Sequence, residues 1–237
     1  MRKFRKIFAA FILIIFVITV LSGLFNTLAN FPLENYLESL ELSRHPEIDE
    51  LRQGVVVVNS YESGRHDSLS MRQTGTGFNI DDSGKILTNR HVIEDSQEVT
   101  ISFHDGKDSF TVDEWQGSPH PGVDIAVMDL SADELPYLDM ADSPKESVSD
   151  GDEVLIIGNP RGIGGLVAEG KIKGKEDMSE LPHMIMEIES SIHPGHSGSP
   201  VFNEQHEVIG IIYASRELPD GTEVGLAISV GNHELLK

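Results

Sequence analysis

The sequence predicts an all-β barrel domain preceded by one amino-terminal transmembrane helix. Two observations carry this expectation. From Gly54 onward, short strand-like runs recur between clusters of Gly, Asp, Ser and Pro, without the strand–helix alternation of α/β proteins. Ahead of them, Ile7 to Phe25 is apolar apart from Thr19, Ser22 and Gly23, and it directly follows Arg2, Lys3, Arg5 and Lys6.

As a helix, the apolar run would be about 28 Å long, close to the hydrocarbon thickness of a bilayer. Positive charges ahead of it place the amino terminus in the cytoplasm and the remaining chain outside. The expected division is a basic cytoplasmic tail at 1–6, a single-pass anchor at 7–28, a linker or stalk at 29–53 and the folded domain at 54–237. The alternative is a secreted domain released by signal cleavage at Thr27-Leu28-Ala29, but the run is longer than the usual core of a signal peptide. Within the stalk, Leu33, Leu37, Leu40 and Leu42 lie near helical spacing, so a short helix or a solvated linker fits equally.

Strands are expected at Val55–Val58, Gly75–Ile80, Ile86–Thr88, Glu98–Phe103, Asp124–Leu130, Glu153–Ile157, Met184–Glu189, Val208–Ala214 and Val224–Ile228. Helical turns are expected only at His91–Asp95 and at the carboxyl end.

Composition narrows the function. The net charge is −21, and the first 29 residues hold four bases and no acid, so the extracytoplasmic part is more acidic still. Nucleic acid is excluded as a partner, because neutralising phosphates takes basic patches. The absence of cysteine removes disulfides, thiolate metal sites and a cysteine nucleophile.

The stretch Gly195-His196-Ser197-Gly198-Ser199-Pro200 reads as a tight turn presenting one hydroxyl. In such a turn the N–H groups of Gly195 and Ser197 can converge as an oxyanion hole. A serine hydroxyl needs a base, and His91, just past the strand ending at Thr88, is held where a sheet can aim an imidazole into a cleft. Asp124 stands at the start of the apolar Ile125-Ala126-Val127-Met128, where a carboxylate needs a partner. Asp129 is at odd separation from Asp124 and would face the other side of that strand. A metal site on His193 and His196 is not expected, since Pro194 and Gly195 break the helical spacing and no His-Glu-x-x-His is present. No cofactor is expected.

Together, Gly75-Thr76-Gly77-Phe78, Thr88-Asn89-Arg90-His91-Val92-Ile93, Asp124-Ile125-Ala126-Val127 and Gly195-His196-Ser197-Gly198-Ser199-Pro200 resemble the trypsin-like serine proteases, most closely the HtrA/Deg branch. Gly151–Pro160, Val208–Ile211 and Gly225–Ile228 agree with it, and the likeness covers about residues 54–232. It implies a chymotrypsin-like double β-barrel with the site between the barrels. It assigns Ser197 as nucleophile, His91 as general base then acid, Asp124 as orienting acid, and the Gly195 and Ser197 amides as oxyanion hole. It also implies a substrate pocket at Ser190, Ser191, Ile192, Ile212, Tyr213, Ala214 and Ser215.

The chain departs from the pattern in three places. HtrA-type sequences usually read Gly-Asn-Ser-Gly-Gly-Pro, where this chain has His196 and Ser199. The histidine cannot pair with a freshly cut amino terminus as the aspartate of zymogen-type relatives does, so cleavage activation is not expected. No PDZ segment follows the protease part of this sequence. The resemblance permits a homotrimer, but no residue read here supports one.

Without an acid at the pocket, cleavage after Lys or Arg is not expected. Ile212 stands where the similar glutamyl endopeptidases place a histidine, which leaves a small or medium apolar P1 residue as the expectation. The expected function is a membrane-anchored serine endopeptidase acting on extracytoplasmic proteins. The alternatives are a catalytically silent peptide-binding module and a glutamyl-endopeptidase-like specificity.

Overall fold

Val55 to Val58 face two different cores. Val56 and Val58 point into the interior of the first half of the molecule, whereas Val55 packs between the halves. Side chains alternate across a strand, so an unbroken apolar run marks a strand buried on both faces. The same partition recurs at Ile86 and Leu87, at Ile156 and Ile157, and at Ile211 and Ile212, where one residue of each pair fills a barrel and its neighbour fills the seam.

The structure, a computed structural model, describes residues 12–13, 15–23, 39–42, 44–64, 69–104, 106, 109–112, 114–118, 122–159, 165–177, 183–190 and 192–231. Residues 1–37 and 38–237 form two separate units. In the first, residues 15–23 are helical, with Ile15, Phe16, Ile18 and Leu21 exposed. No helix among the described residues is long and apolar enough to cross a membrane. Much of the expected anchor at 7–28 lies outside the described residues.

The second unit begins ahead of the strands. Helix α1 (Pro46–Gln53) opens with Pro46 and carries Glu47 and Asp49 in its first turn and Arg52 in its last, each suited to the helix dipole. Its Ile48 is buried in the seam core, with Leu42 and Leu51 packed against that core. Ser39 accepts the Val167 N–H on its hydroxyl at 2.8 Å. Part of the expected stalk is therefore packed onto the barrels.

The first half contains β1 (Val55–Ser63), β2 (Leu69–Asn79), β3 (Lys85–Thr88), helix α2 (Arg90–Ile93), β4 (Glu98–Phe103), β5 (Ser109–Val112), β6 (Gln116–Gly117) and β7 (Ala126–Asp129). Its antiparallel sheet runs β5-β4-β1-β2-β3-β7-β6. The one-turn α2 falls where a helical turn was expected, immediately after β3.

After α3 (Pro144–Ser147) come β8 (Glu153–Gly158), β9 (Leu166–Asp177), β10 (Met184–Glu189), β11 (Pro200–Phe202), β12 (Val208–Glu217) and β13 (Glu223–Ser229). These close into an antiparallel barrel in the order β10-β13-β12-β11-β8-β9. The connecting segment is tied to both halves. Leu138 N–H donates to Asn79 O at 2.9 Å, and Val208 N–H donates to Asp139 O at 2.8 Å.

All nine expected strands are present. β5, β6, β9 and β11 were not anticipated. The expected carboxyl-terminal turn lies outside the described residues.

Candidate active site

The rigid end of β3 sets the position of His91. β3 pairs with both β2 and β7, and Asn89 at its exit donates its Nδ2–H to the Asp124 carbonyl at 2.8 Å. Asp124 lies two residues ahead of β7, across from that exit. Its carboxylate accepts the His91 backbone N–H on Oδ1 at 3.0 Å and meets the ring Nδ1 with Oδ2 at 2.5 Å. Burial of Asp124 opposes its ionisation. The hydrogen bonds from the His91 ring and backbone, with the His91 and Arg90 charges, outweigh that and hold the carboxyl below its ordinary range. With Nδ1 committed to the carboxylate, Nε2 is the ring nitrogen left for other chemistry. Asp129 is exposed and instead receives the Ser131 N–H at 2.8 Å.

Ser197 is supplied by the other barrel, on the loop between β10 and β11. Pro194 and Gly195 occupy the centre of a turn closed by the His196 N–H on His193 O at 3.0 Å, and Gly195 has φ +103°. Proline at the first central position and a positive φ glycine at the second are what a type II turn requires. At Gly198, φ is +88°, and an added Cβ would lie 1.9 Å from Thr76 O. Only glycine fits there.

The loop is seated on β2. Thr76 N–H donates to Ser197 O at 2.8 Å, and Thr76 Oγ donates to Gly195 O at 2.7 Å. The space beside Gly75 is bounded by Val92 on one side and Ser197 O on the other, so the nucleophile loop lies next to the helix bearing His91. Ser197 is half-buried, and among the described residues no hydrogen bond joins its hydroxyl to the His91 ring. Such bonds are often long in free enzymes and tighten when substrate is bound. The Gly195 and Ser197 N–H groups have no acceptor among the described residues.

His196 is buried, and its Nδ1 stands 3.0 Å from the His193 N and 3.1 Å from His193 O, accepting from the first when the proton is on Nε2 and donating to the second when it is on Nδ1. Burial lowers its pKa to about 4; the hydrogen bond with the His193 backbone opposes this, and the nearby His193 charge adds to it. Its coordinating nitrogen on that side is thus already used within the loop. The His193 and His196 ring centroids stand 6.2 Å apart.

Of the expected pocket residues, Ile192 and Ile212 are buried and converge on the space that a Cβ at Gly225 would take. Ser190, Tyr213 and Ala214 are half-buried, Ser215 is exposed, and Ser191 lies outside the described residues. Burial raises the Tyr213 pKa above its ordinary value; Arg216 opposes this, while the negative charges of Asp124 and Glu176 add to it. Tyr213 therefore lies within the field of the Asp124 carboxylate.

A family model described as a trypsin-like peptidase domain matches residues 75–211. The chain belongs to this family. The matched span of this trypsin-like peptidase domain runs from the β2 seat of the loop to β12. Probable periplasmic serine endoproteases described as DegP-like are similar to it. The one from Brucella suis is 32% identical over 158 residues, covering 66% of this chain and 30% of that protein. The one from Rhizobium meliloti is 33% identical over 165 residues, covering 68% and 32%. The chain thus spans about a third of the length of these relatives. The serine endoprotease structure from Yersinia pestis matches with a TM-score of 0.63 at 30% identity, covering 77% of this chain and 61% of that one. The HtrA-type protease AlgW with a tripeptide matches with a TM-score of 0.64 at 24% identity, covering 78% and 58%, and supports the fold alone. Both likenesses fit the expected chymotrypsin-like double barrel.

Thr76 is the functional candidate that the sequence reading did not single out. Its burial mid-strand and its backbone partners are visible only in the structure.

Proposed function

We propose that this trypsin-like peptidase domain is a serine endopeptidase of the HtrA/DegP type, using Ser197, His91 and Asp124. The observation that carries the reading is the Asp124–His91 pair on one half of the molecule, with the Ser197 loop of the other half seated beside it.

His91 Nε2 takes the Ser197 proton as Oγ attacks the scissile carbonyl carbon. Asp124 holds the ring by Nδ1 and stabilises the imidazolium. The Gly195 and Ser197 N–H groups donate to the oxyanion. His91 then protonates the leaving amine as the C–N bond breaks. Water repeats the sequence on the acyl-enzyme, and the acid and Ser197 are released. Only protein groups and water take part.

Ile192 and Ile212 filling the space at Gly225 support a small apolar pocket and hence small or medium apolar P1 residues. A glutamyl specificity would need a cation where buried Ile212 stands. The basic start, the apolar run and the exposed apolar side chains of helical residues 15–23 support a membrane anchor. With the periplasmic relatives, they support action outside the cytoplasm on protein substrates.

A fluorophosphonate probe should label the full-length protein and fail to label Ser197→Ala. No labelling of the wild type at any pH between 5 and 9, with peptides still bound, would instead establish a silent binding module. Dominant cutting of a peptide library after Glu, Asp, Lys or Arg would refute the apolar P1 assignment.

A further inference from the structure

We infer that Thr76, on the first barrel, is a positioning residue for the oxyanion hole formed by the second. The inference deepens the proposed protease reading and rests on it. Thr76 is fully buried, and its hydroxyl has a fixed polarity. The Asn159 N–H, at the exit of β8, donates to Thr76 Oγ at 2.9 Å, so the hydroxyl proton is directed to Gly195 O at 2.7 Å. Gly195 O is an acceptor only, so the chain Asn159 N–H to Thr76 O–H to Gly195 O runs in one direction.

The backbone of the same residue completes the grip. Thr76 N–H donates to Ser197 O, and Thr76 O accepts the Thr88 hydroxyl at 2.7 Å. Gly198 packs directly against Thr76 O, where no Cβ would fit. Thr76 therefore holds the carbonyls of Gly195 and Ser197, the two residues whose N–H groups serve the oxyanion. Each peptide plane is rigid, so fixing Gly195 O fixes the His196 N–H as well, and that N–H closes the turn on His193 O. The backbone bonds survive in Thr76→Val; the hydroxyl's bonds to Gly195 O and from the Asn159 N–H do not.

Thr76→Val keeps the shape and removes those bonds, and Thr76→Ser restores them. In the full-length chain in detergent, Thr76→Val should lower kcat and the rate of Ser197 phosphonylation by about tenfold to a hundredfold, the loss expected when catalytic groups are slightly misplaced. KM should stay nearly constant, and Thr76→Ser should recover most of the rate.

A peptide aldehyde accepts Ser197 Oγ at its carbonyl carbon as the C=O π bond opens and the hydroxyl proton passes to His91 Nε2, which places the former carbonyl oxygen in the hole. The corresponding peptide alcohol does not. Thr76→Val should weaken the aldehyde in proportion to its loss of kcat and leave the alcohol unchanged. Equal weakening of both, or wild-type kcat in Thr76→Val, would overturn the inference.

Amide hydrogen exchange over residues 193–198 reads the clamp without catalysis. It should be faster in Thr76→Val than in wild type or Thr76→Ser, and unchanged exchange would also overturn the inference. A wild-type protein that fluorophosphonate does not label would refute the protease reading alone, because the exchange comparison still decides the clamp.

Discussion

His196 Nδ1 stands 3.0 Å from the backbone N of His193 and 3.1 Å from its O, so the loop carrying the nucleophile is closed by its own side chain. The ring is neutral in this role and needs no charged terminus or partner acid. This suits a domain for which zymogen cleavage was not expected. Asparagine, which HtrA-type sequences usually carry here, offers a carbonyl oxygen as the equivalent acceptor.

Because the folded protein keeps His196 at a pKa of about 4 while the unfolded chain takes it at its ordinary 6.5, the unfolded state binds more protons between those values. The stability associated with the neutral ring is present above pH 6.5 and is lost as pH falls towards 4. Chemical denaturation from pH 7 to 4 should show the wild type losing on the order of 3 kcal/mol more than His196→Asn. Parallel pH profiles for the two proteins would refute it.

Replacing Asp124 by Asn should preserve the fold, since the amide fills the same volume, yet present a donor to His91 Nδ1 and favour the wrong ring tautomer. The expected loss in kcat/KM is about four orders of magnitude. A decrease of less than tenfold would mean that another group orients the ring.

Gly198→Ala brings a methyl group to within 1.9 Å of Thr76 O at a residue with φ +88°. Destabilisation should exceed about 4 kcal/mol, read by urea denaturation or as loss of soluble protein. Gly174→Ala on β9 meets nothing within 4 Å and should change stability by no more than about 0.5 kcal/mol.

Ile48→Ala tests the packing of α1. Ile48 is 5% exposed in the seam core, so its truncation should cost about 2–5 kcal/mol. Leu40→Ala, at an exposed position, should fall within about 0.5 kcal/mol of wild type. An unaltered denaturation midpoint in Ile48→Ala would return residues 39–53 to the status of a stalk.

The apolar runs of β1, β3, β8 and β12 are buried on two faces and leave an unbroken signal in the sequence, whereas β4 and β10 carry the alternation of half-buried strands. The sequence reading missed β9, whose Leu166–Asp177 alternates charged and apolar residues through Lys171, Lys173 and Lys175 and ends in exposed acids. β6 and β11 are two and three residues long, too short for periodicity to register, and β5 alternates exposed Ser109 and Thr111 with its apolar residues.

His91, Asp124 and Ser197 were legible from their flanking residues. The His91–Asp124 contact is in the structure, and the Ser197 loop lies on the adjoining strand. Thr76 escaped notice because its partners are backbone atoms, one of them 119 positions away in sequence. No side-chain pattern records such a contact.

Gly158 gives the two unusual loop residues a shared dependency. A Cβ there would fall 2.3 Å from Ser199 Oγ and 2.9 Å from His196 Cδ2, so the hydroxyl and the imidazole occupy room that this glycine vacates. Positions 158, 196 and 199 thus form one steric unit spread over two segments of chain. Grafting Gly-His-Ser-Gly-Ser-Pro onto a related scaffold will succeed only where the end of the β8 counterpart is also glycine. Among relatives, a bulkier residue at that position should be accompanied by smaller residues in the loop.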